Sequence, residues 1–525
     1  MPDPSPVLQR ILPPEISANG TVRYRSITSM PDESTAVCYF VPDRVIPVIF
    51  VPGIMGSNLQ QVGSGEPIWL LDSEGGAFAD WAAKGAVERS KLLHPDRTTV
   101  FPNGKITSGT VQTETELRRR GWGEVARSSY GEWLVWLENT LNDSAYCKIG
   151  HRAKLMEKLS NDIGPLTFNE VALSYKYQFP VHAVGYNWLQ SNSASAVRLR
   201  DKIYEFRAFY RERKMMCEKV IIITHSMGGL VARYYSEVLQ QAGGVAGHRD
   251  KVLGVIHGVM PAVGAAAAYK RVRAGNEGYF ASKVLGSSSD SVTAVFAQSP
   301  GALQLLPGPE YGIGWLKIRD VDRREALPIS DPYAEIYTQR NKWWGLLDEK
   351  LINPVDKNKK TLDADWKRCV DLIKKEVLTF HKQIKLKYHD NTHVFYGDDK
   401  GDFLTWGDVT WRRREPMLGK TKPVDNLLGQ DKNWSSGTGE LMLSDPNRRS
   451  DPWFVLDPAS ERGDSTVPAR SGRAPFGQKG VRTCISYQGI SHEGAFKKIE
   501  TQLFSLWAIV KVVQNVKGTE LEYKK

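Results

Sequence analysis

A serine lies in the segment THSMGG, residues 224–229, between an apolar run and a helical pattern. The run at residues 220–223 is typical of a central parallel strand that is buried on both faces. A tight strand-to-helix turn of small residues lifts its central side chain to the top of the sheet, at the N-terminus of the helix. The pattern therefore predicts Ser226 as a nucleophile, although Thr224 replaces the first glycine of the usual G-x-S-x-G motif.

A general base must accompany this serine, because a hydroxyl is a weak nucleophile at neutral pH. In folds that carry this turn, the chain order is Ser, then Asp or Glu, then His. The histidines that follow Ser226 are His248, His257, His381, His389, His393 and His492. The first two come too early for an acid to intervene. Only His492 both follows the best candidate acid and directly precedes the last predicted helix, so we predict His492 as the base.

The candidate acid is Asp464, in the segment GDSTVP at residues 463–468. A buried carboxylate would hold the imidazole in one tautomer and stabilise the imidazolium that forms during attack. Asp398 and Asp399 remain alternatives. They follow the predicted strand at residues 392–397 directly, where such folds often place their acid.

Two N–H donors are also required, because negative charge develops on the ester oxygen during attack. The backbone N–H of Met227, next to the serine, is the first candidate. The second should come from the loop PGIMG at residues 52–56, whose glycines let the backbone approach a substrate closely. Ile54 is the preferred donor in this loop, and Met55 is the alternative.

These residues must be positioned by a sheet, and the chain predicts one. Short apolar strands alternate with helical patterns, which indicates an α/β fold with a mostly parallel sheet and helices on both faces. We divide the chain into an irregular extension (1–44), a core (45–257) with an insertion at about 60–165, a cap (258–390), and a second part of the core (391–525) with an insertion at about 398–452.

Composition excludes several classes of protein. The balance of 41% hydrophobic and 25% charged residues is that of a globular chain. The net charge of +11 permits attraction to anionic lipid, and no zinc-finger or RNA-binding signature accompanies it, so nucleic acid is not an expected partner. Neither a signal peptide nor a membrane span is recognisable, which favours synthesis in the cytosol. Five scattered cysteines do not predict a disulfide framework.

Two further stretches allow two interpretations each. Asp398, Asp399 and Asp402 surround Gly401, but their spacing does not fit an EF-hand loop; a solvated turn is preferred, and no metal or cofactor is expected. The uncharged stretch at residues 258–269 is followed by Lys270, Arg271 and Arg273. It could form an apolar lip with a basic rim that meets phospholipid, or a loop packed beneath the cap.

A family resemblance rests on six segments in order: VPGIMGSNL, YNW at 186–188, THSMGG, SPGALQLLP at 299–307, GDSTVP and the late His492. In this series the chain resembles the lecithin–cholesterol acyltransferase-like lipases and acyltransferases and the related lipases of the PGAP1-like kind. The resemblance implies an α/β-hydrolase fold with a cap, cleavage of lipid acyl esters, and family roles for Ser226, Asp464, His492, Ile54 and Met227.

The chain also resembles antibacterial phospholipases that are delivered by type VI secretion. The stretch HGVMPAVGAAAAYKRVRAG, residues 257–275, and the basic, capped character support this resemblance. It implies secretion into the periplasm of a neighbouring cell, toxicity there, and a cognate immunity protein that blocks the site.

Together these features predict a serine lipase or phospholipase that hydrolyses glycerophospholipid esters at a membrane surface. Two alternatives remain open. The same acyl-enzyme could pass its acyl group to another alcohol, which would make the protein an acyltransferase. A binding protein without activity could also be built on the same fold.

Overall fold

The structure is a computed structural model. It describes residues 9–12, 14–16, 22–24, 35–38, 42–70, 81, 83–143, 148–160, 162–239, 251–276, 289–414, 422–426, 434–435, 439–444 and 451–523.

A six-stranded parallel sheet forms the centre of the protein. Its strands are β1 (Val48–Val51), β2 (Val181–Ala183), β3 (Val220–His225), β4 (Val252–Gly258), β5 (Thr392–Gly397) and β6 (Val481–Tyr487). Their order across the sheet is β6-β5-β4-β3-β1-β2, and every neighbouring pair is parallel. All carboxyl ends of the strands therefore open on one edge, which is where ligands bind in sheets of this kind.

Helices cover both faces of this sheet. Successive apolar side chains of β3 point to opposite faces, so both faces must be shielded from water. Ile221 and Ile223 of β3 face one core, which includes side chains of α1 (Arg127–Leu141) and α4 (Ile499–Val513). Val220 and Ile222 face the other core, with α2 (Asn192–Glu212) and α3 (Gly228–Glu237). The predicted α/β architecture with helices on both faces is confirmed.

A second six-stranded sheet combines two distant stretches of the chain. Its order is Arg323–Leu327, Leu316–Asp320, Val409–Arg413, Trp453–Leu456, Glu440–Met442 and Trp434–Ser435. Trp343 stacks on Phe454 of this sheet at 3.9 Å between ring centroids. The same apolar core reaches from Trp343 to Val220 and Ile222 of the main sheet. The tryptophans here fill the core, and the two sheets pack as one unit.

The remaining elements are short. The strands are Gln9–Leu12, Pro14–Ile16, Val22–Tyr24, Thr35–Cys38, Leu59–Gln61, Pro67–Trp69 and Thr98–Val100. The α-helices are Ala86–Leu92, Glu114–Arg119, Phe168–Ser174, Ala266–Ala274, Ser289–Phe296, Pro300–Leu303, Glu349–Ile352, Leu362–Leu372, Leu378–Ile384 and Ala469–Arg473. The 3-10 helices are Trp122–Glu124, His151–Met156, Pro309–Tyr311 and Gln514–Val516, and the π-helices are Tyr333–Tyr337 and Ile373–Val377.

The stretch at residues 258–273 is packed inside the protein, so the alternative of an apolar lip with a basic rim is wrong. Lys270 and Arg273 are both buried. Lys270 Nζ donates to the carbonyl of Gly275 at 3.1 Å, and Arg273 Nε donates to that of Trp343 at 2.8 Å. Arg271 donates to Thr466 Oγ1 at 3.1 Å. These charges satisfy internal carbonyls and hydroxyls rather than facing a lipid surface.

In the described part of the chain, no helix has both the length and the apolarity to cross a bilayer.

Candidate active site

Ser226 lies in the sharp turn between β3 and α3. Its φ is +53°, a left-handed conformation that a non-glycine residue adopts at a cost. Its N–H donates to the carbonyl of Gly258, at the end of β4, at 2.9 Å. A side chain on Gly228 would lie 2.5 Å from the carbonyl oxygens of Val51 and Pro52. The turn is therefore held against β1 and β4, and only a glycine fits at residue 228.

Thr224 explains the departure from the usual glycine motif. Its side chain is buried, and its Oγ1 lies 2.8 Å from Nδ1 of His257 on β4. Burial lowers the pKa of His257 to about 3, so this imidazole is neutral at physiological pH. A threonine fits here because the neighbouring strand supplies a partner for its hydroxyl.

Ser226, His492 and Asp464 form a continuous line of hydrogen bonds. Ser226 Oγ lies 2.8 Å from His492 Nε2, and His492 Nδ1 lies 2.9 Å from Asp464 Oδ2. The carboxylate can only accept, so Nδ1 carries the proton and Nε2 is free to accept from the serine hydroxyl. The three side chains are buried, with residue exposures of 3%, 7% and 0%. This arrangement can generate a serine nucleophile.

The three candidate acids differ in their partners. Asp464 Oδ1 accepts from the N–H groups of Thr466 at 3.0 Å and Val467 at 2.6 Å, which leaves Oδ2 for His492. Asp399 accepts three main-chain N–H groups, and Asp398 pairs with Arg462. Among the described contacts, neither alternative reaches His492. The structure therefore brings Asp464, and not Asp398 or Asp399, to the imidazole.

The loop that carries Ile54 passes directly over the serine. A side chain on Gly53 would lie 3.0 Å from Ser226 Cβ and 2.8 Å from His225 Nδ1. The Gly56 N–H donates to the Gly53 carbonyl at 3.1 Å, and Met55 has φ +65°, as a type II turn requires at its third residue. Gly53 therefore allows this close approach.

Aromatic side chains hold the polar groups of this loop. Tyr186 OH donates to the carbonyl of Pro52 at 2.9 Å, and Trp69 Nε1 donates to that of Met55 at 2.9 Å. Among the described residues, the N–H groups of Ile54, Met55 and Met227 have no hydrogen-bond partner. The loop thus offers amides that can stabilise an oxyanion, and the choice between Ile54 and Met55 stays open, with Ile54 adjacent to the close contact at Gly53.

Two residues at the site were not predicted from sequence. His225 lies 2.9 Å from Tyr130 OH through Nδ1 and 2.9 Å from the carbonyl of His492 through Nε2. Tyr130 also accepts the N–H of Gly53 at 3.2 Å. His225 stands inside the serine motif, but nothing in the sequence connects it with Tyr130, 95 residues earlier.

Among the described residues, no group of three or more His, Cys, Asp or Glu side chains could hold a metal ion. The Asp399 carboxylate faces the N–H groups of Gly401, Phe403 and Gly489, which lower its pKa. Such a cradle of N–H donors does not suit a cation. The reactive groups that the structure brings together at this site are the serine hydroxyl, the imidazole of His492 and the main-chain amides of the loop at residues 52–56.

Comparison with solved structures finds a similar protein that aligns with most of this chain. A chain in the crystal structure of the Tle4–Tli4 complex is 30% identical, with a TM-score of 0.75; the alignment covers 89% of this chain and 98% of that chain. Lipase 1 from Pelosinus fermentans aligns over 90% and 99% of the two chains, at 12% identity and a TM-score of 0.26, which is too low to inform on the fold. No family model and no curated protein matches.

Proposed function

Because the chain belongs to the family of α/β-hydrolase lipases represented in the Tle4–Tli4 complex, we propose that it is a serine esterase that hydrolyses acyl esters of glycerophospholipids. It is a lipolytic hydrolase. The proposal of a serine esterase is supported by the line of hydrogen bonds from Ser226 through His492 to Asp464, at 2.8 and 2.9 Å.

In this proposal the reaction begins at Ser226. Its Oγ attacks the ester carbonyl while His492 Nε2 takes the hydroxyl proton. The imidazolium is stabilised by Asp464, which remains ionised. His492 then gives the proton to the leaving alcohol, and an acyl-enzyme remains. A water molecule, deprotonated by His492, hydrolyses this ester and returns the serine.

The oxyanion of each tetrahedral intermediate would be stabilised by the N–H groups of Met227 and Ile54. Both amides lack a partner among the described residues, so they need not break a hydrogen bond before they bind the oxyanion. Donors fixed in a buried site act in a low dielectric and do not reorganise during the reaction. Removal of one such donor costs about 10²–10³-fold in kcat in comparable enzymes.

Glycerophospholipid is the proposed substrate class, and a membrane surface is its proposed location. The family and the net charge of +11 support this choice, because basic proteins are attracted to anionic lipid. This attraction should weaken at high salt, since exposed charges are screened over about 8 Å at physiological ionic strength.

The test uses the full chain with vesicles of phosphatidylcholine, with and without phosphatidylglycerol, at low and high salt. Products are identified by mass spectrometry. We expect release of fatty acid and lysophospholipid by the wild type, faster on anionic vesicles at low salt. Ser226→Ala should lower this release on the order of 10⁴-fold or more. Normal turnover by folded Ser226→Ala would refute the mechanism, and transfer of the acyl group to an added alcohol instead of water would identify an acyltransferase.

We further propose a cognate inhibitor protein and delivery to the periplasm of a target cell. The matched chain was solved in a complex of two proteins, Tle4 and Tli4, and the sequence resembles type VI effectors. Expression in a bacterium with and without an added export signal provides the test. We expect growth arrest only with periplasmic export, and none for exported Ser226→Ala; equal toxicity of both variants would contradict a lipolytic toxin.

A further inference from the structure

Tyr130 and His225 join the loop over the serine to the loop that carries the base. The N–H of Gly53 donates to Tyr130 Oη at 3.2 Å, and this hydroxyl lies 2.9 Å from His225 Nδ1. His225 Nε2 lies 2.9 Å from the main-chain carbonyl of His492. Three hydrogen bonds thus connect residues that are far apart in sequence and adjacent around Ser226.

The direction of each hydrogen bond follows from the groups at the two ends. A carbonyl oxygen only accepts, so Nε2 of His225 must carry the imidazole proton. Nδ1 is then the acceptor, and the hydroxyl of Tyr130 must donate to it. The same hydroxyl oxygen accepts from Gly53. Every donor in the line has one acceptor, and no other tautomer of His225 satisfies both ends.

Burial keeps this line in one protonation state. Tyr130 and His225 are both buried. Desolvation, with a smaller effect of nearby His492, lowers the pKa of His225 to about 3, and burial raises the pKa of Tyr130. His225 is therefore neutral where esterases work. This matters because its ring centroid lies 5.1 Å from that of His492, and a charged neighbour would oppose the imidazolium that forms there.

We infer that Tyr130 and His225 are positioning residues that lock the oxyanion loop at Gly53 to the backbone of His492. The inference rests on the proposed function. Ile54 follows Gly53 directly, so a shift of Gly53 would move the oxyanion donor relative to the base. Misplacement of a reacting group by about 1 Å can cost 10²-fold in rate. These hydrogen bonds keep the N–H of Ile54 and the imidazole of His492 at a fixed distance from each other during acylation and deacylation.

The main test is Tyr130→Phe in the full chain, assayed on a short soluble ester. This variant keeps the ring, which packs 4.9 Å from that of Phe50, and removes only the hydroxyl. We expect kcat to fall about 10- to 100-fold, with KM changed less than twofold. The inhibition constant of a trifluoromethyl ketone, which forms a tetrahedral oxyanion on the serine, should rise by the same factor as kcat/KM falls.

The matched control is Tyr177→Phe. Tyr177 is also buried, and its hydroxyl donates to the carbonyl of Leu521 at 2.8 Å, in contacts separate from the site. It should lose thermal stability with unchanged kinetic constants per active site, counted by fluorophosphonate titration. A purely structural role of Tyr130 would give the same result as this control, so that outcome would overturn the inference.

His225 provides a second pair of variants. The amide of His225→Gln can still donate to the carbonyl of His492, whereas His225→Leu has no donor. We expect the Gln variant to retain at least tenfold more kcat than the Leu variant. Equal kcat for both, or wild-type kcat in Tyr130→Phe, would overturn the inference. If the wild type itself neither cleaves esters nor reacts with the fluorophosphonate, the proposed function fails instead.

Discussion

Two loops at the carboxyl edge of the main sheet each present a buried aspartate, and they differ in what those carboxylates bind. One loop follows β5 and contains Asp399; the other contains Asp464. They are joined by hydrogen bonds from Asp399 N to Gly463 O at 2.9 Å and from Gly463 N to Asp399 O at 3.3 Å. They therefore share one location, and position in the sheet alone does not distinguish them.

The difference lies in the second carboxylate oxygen. Asp399 Oδ1 accepts from Gly401 and Phe403, and its Oδ2 accepts from Gly489. Asp464 places its two main-chain donors on Oδ1 and turns Oδ2 to His492. Asp399 thus stabilises a loop, whereas Asp464 is available to an imidazole. Each carboxylate oxygen can accept two hydrogen bonds, so the distinction is one of position: Asp464 Oδ2 reaches His492 Nδ1 at 2.9 Å, whereas Asp399 Oδ2 faces the N–H of Gly489.

Among variants of these two loops, Asp464→Asn should cause the largest loss of activity. The amide can present its NH₂ group to His492 Nδ1, which favours the wrong imidazole tautomer, and kcat should fall about 10⁴-fold. The measurement is steady-state hydrolysis of a short ester, with circular dichroism to verify folding. A mild effect here together with a severe effect of Asp398→Asn or Asp399→Asn would reverse the assignment.

Gly397→Ala should move the Asp464 loop without changing its chemistry. Gly397 ends β5, and a side chain there would lie 2.6 Å from Asp464 Cβ, so the acid must shift. We expect kcat to fall about 10²-fold. Gly401→Ala is the control in the other loop, because an added Cβ meets nothing within 4 Å. Equal kcat in both variants would show that the position of Asp464 does not limit catalysis.

Asp399→Asn should affect stability more than catalysis. The amide has one acceptor oxygen for three N–H donors. Gly401 and Gly489 are exposed, so water can reach these donors, and the loss is that of a hydrogen bond, about 0.5–1.5 kcal/mol. The free energy of unfolding should drop by about this amount in denaturant titrations, with kcat within tenfold of the wild type. The native N–H groups lower the pKa of Asp399, so its ionised form stabilises the fold above the ordinary carboxyl pKa of about 3.9. The difference between variant and wild type should therefore shrink as the pH falls below that value. A constant difference down to pH 2 would contradict this role.

Asp398→Asn gives the smallest expected effect. Its partner Arg462 is exposed, and ion pairs of that kind contribute about 0–1 kcal/mol. Kinetics and unfolding should both match the wild type closely. A loss of activity beyond tenfold would show that this loop takes part in the reaction after all.

The sequence predicts the central strands of the main sheet well because they contain short, continuous apolar runs, such as residues 220–223. The run at 220–223 predicts the strand Val220–His225 to within two residues at its end, and the prediction of a strand at 392–397 matches Thr392–Gly397. The serine turn directly follows the first of these strands. The catalytic roles of Ser226, His492 and Asp464 stay predictions, now with a geometry that permits them. The sequence favours Asp464 as the acid but leaves Asp398 and Asp399 as alternatives, because hydrogen bonds between a carboxylate and distant main-chain N–H groups cannot be read from the chain.

Long-range polar contacts were likewise beyond prediction. Tyr130 belongs to a helix whose apolar pattern indicates only packing, and its hydroxyl reaches His225 through the fold alone. The sequence alone allows the stretch with Lys270 and Arg273 to be either a lipid-facing lip or a loop packed beneath the cap, because charge usually indicates exposure whereas the uncharged run before it indicates burial. In the structure, internal carbonyls compensate the burial of both cations.

The central claim is that Ser226 is a nucleophile activated by His492 and Asp464. Reaction of the purified full chain with a fluorophosphonate, followed by intact mass and peptide mapping, tests this most directly. The account predicts one adduct per chain on Ser226, none on Ser226→Ala, and much slower labelling of Asp464→Asn than of Asp399→Asn. An adduct on another residue, no adduct on the folded wild type, or slower labelling of Asp399→Asn than of Asp464→Asn would contradict it.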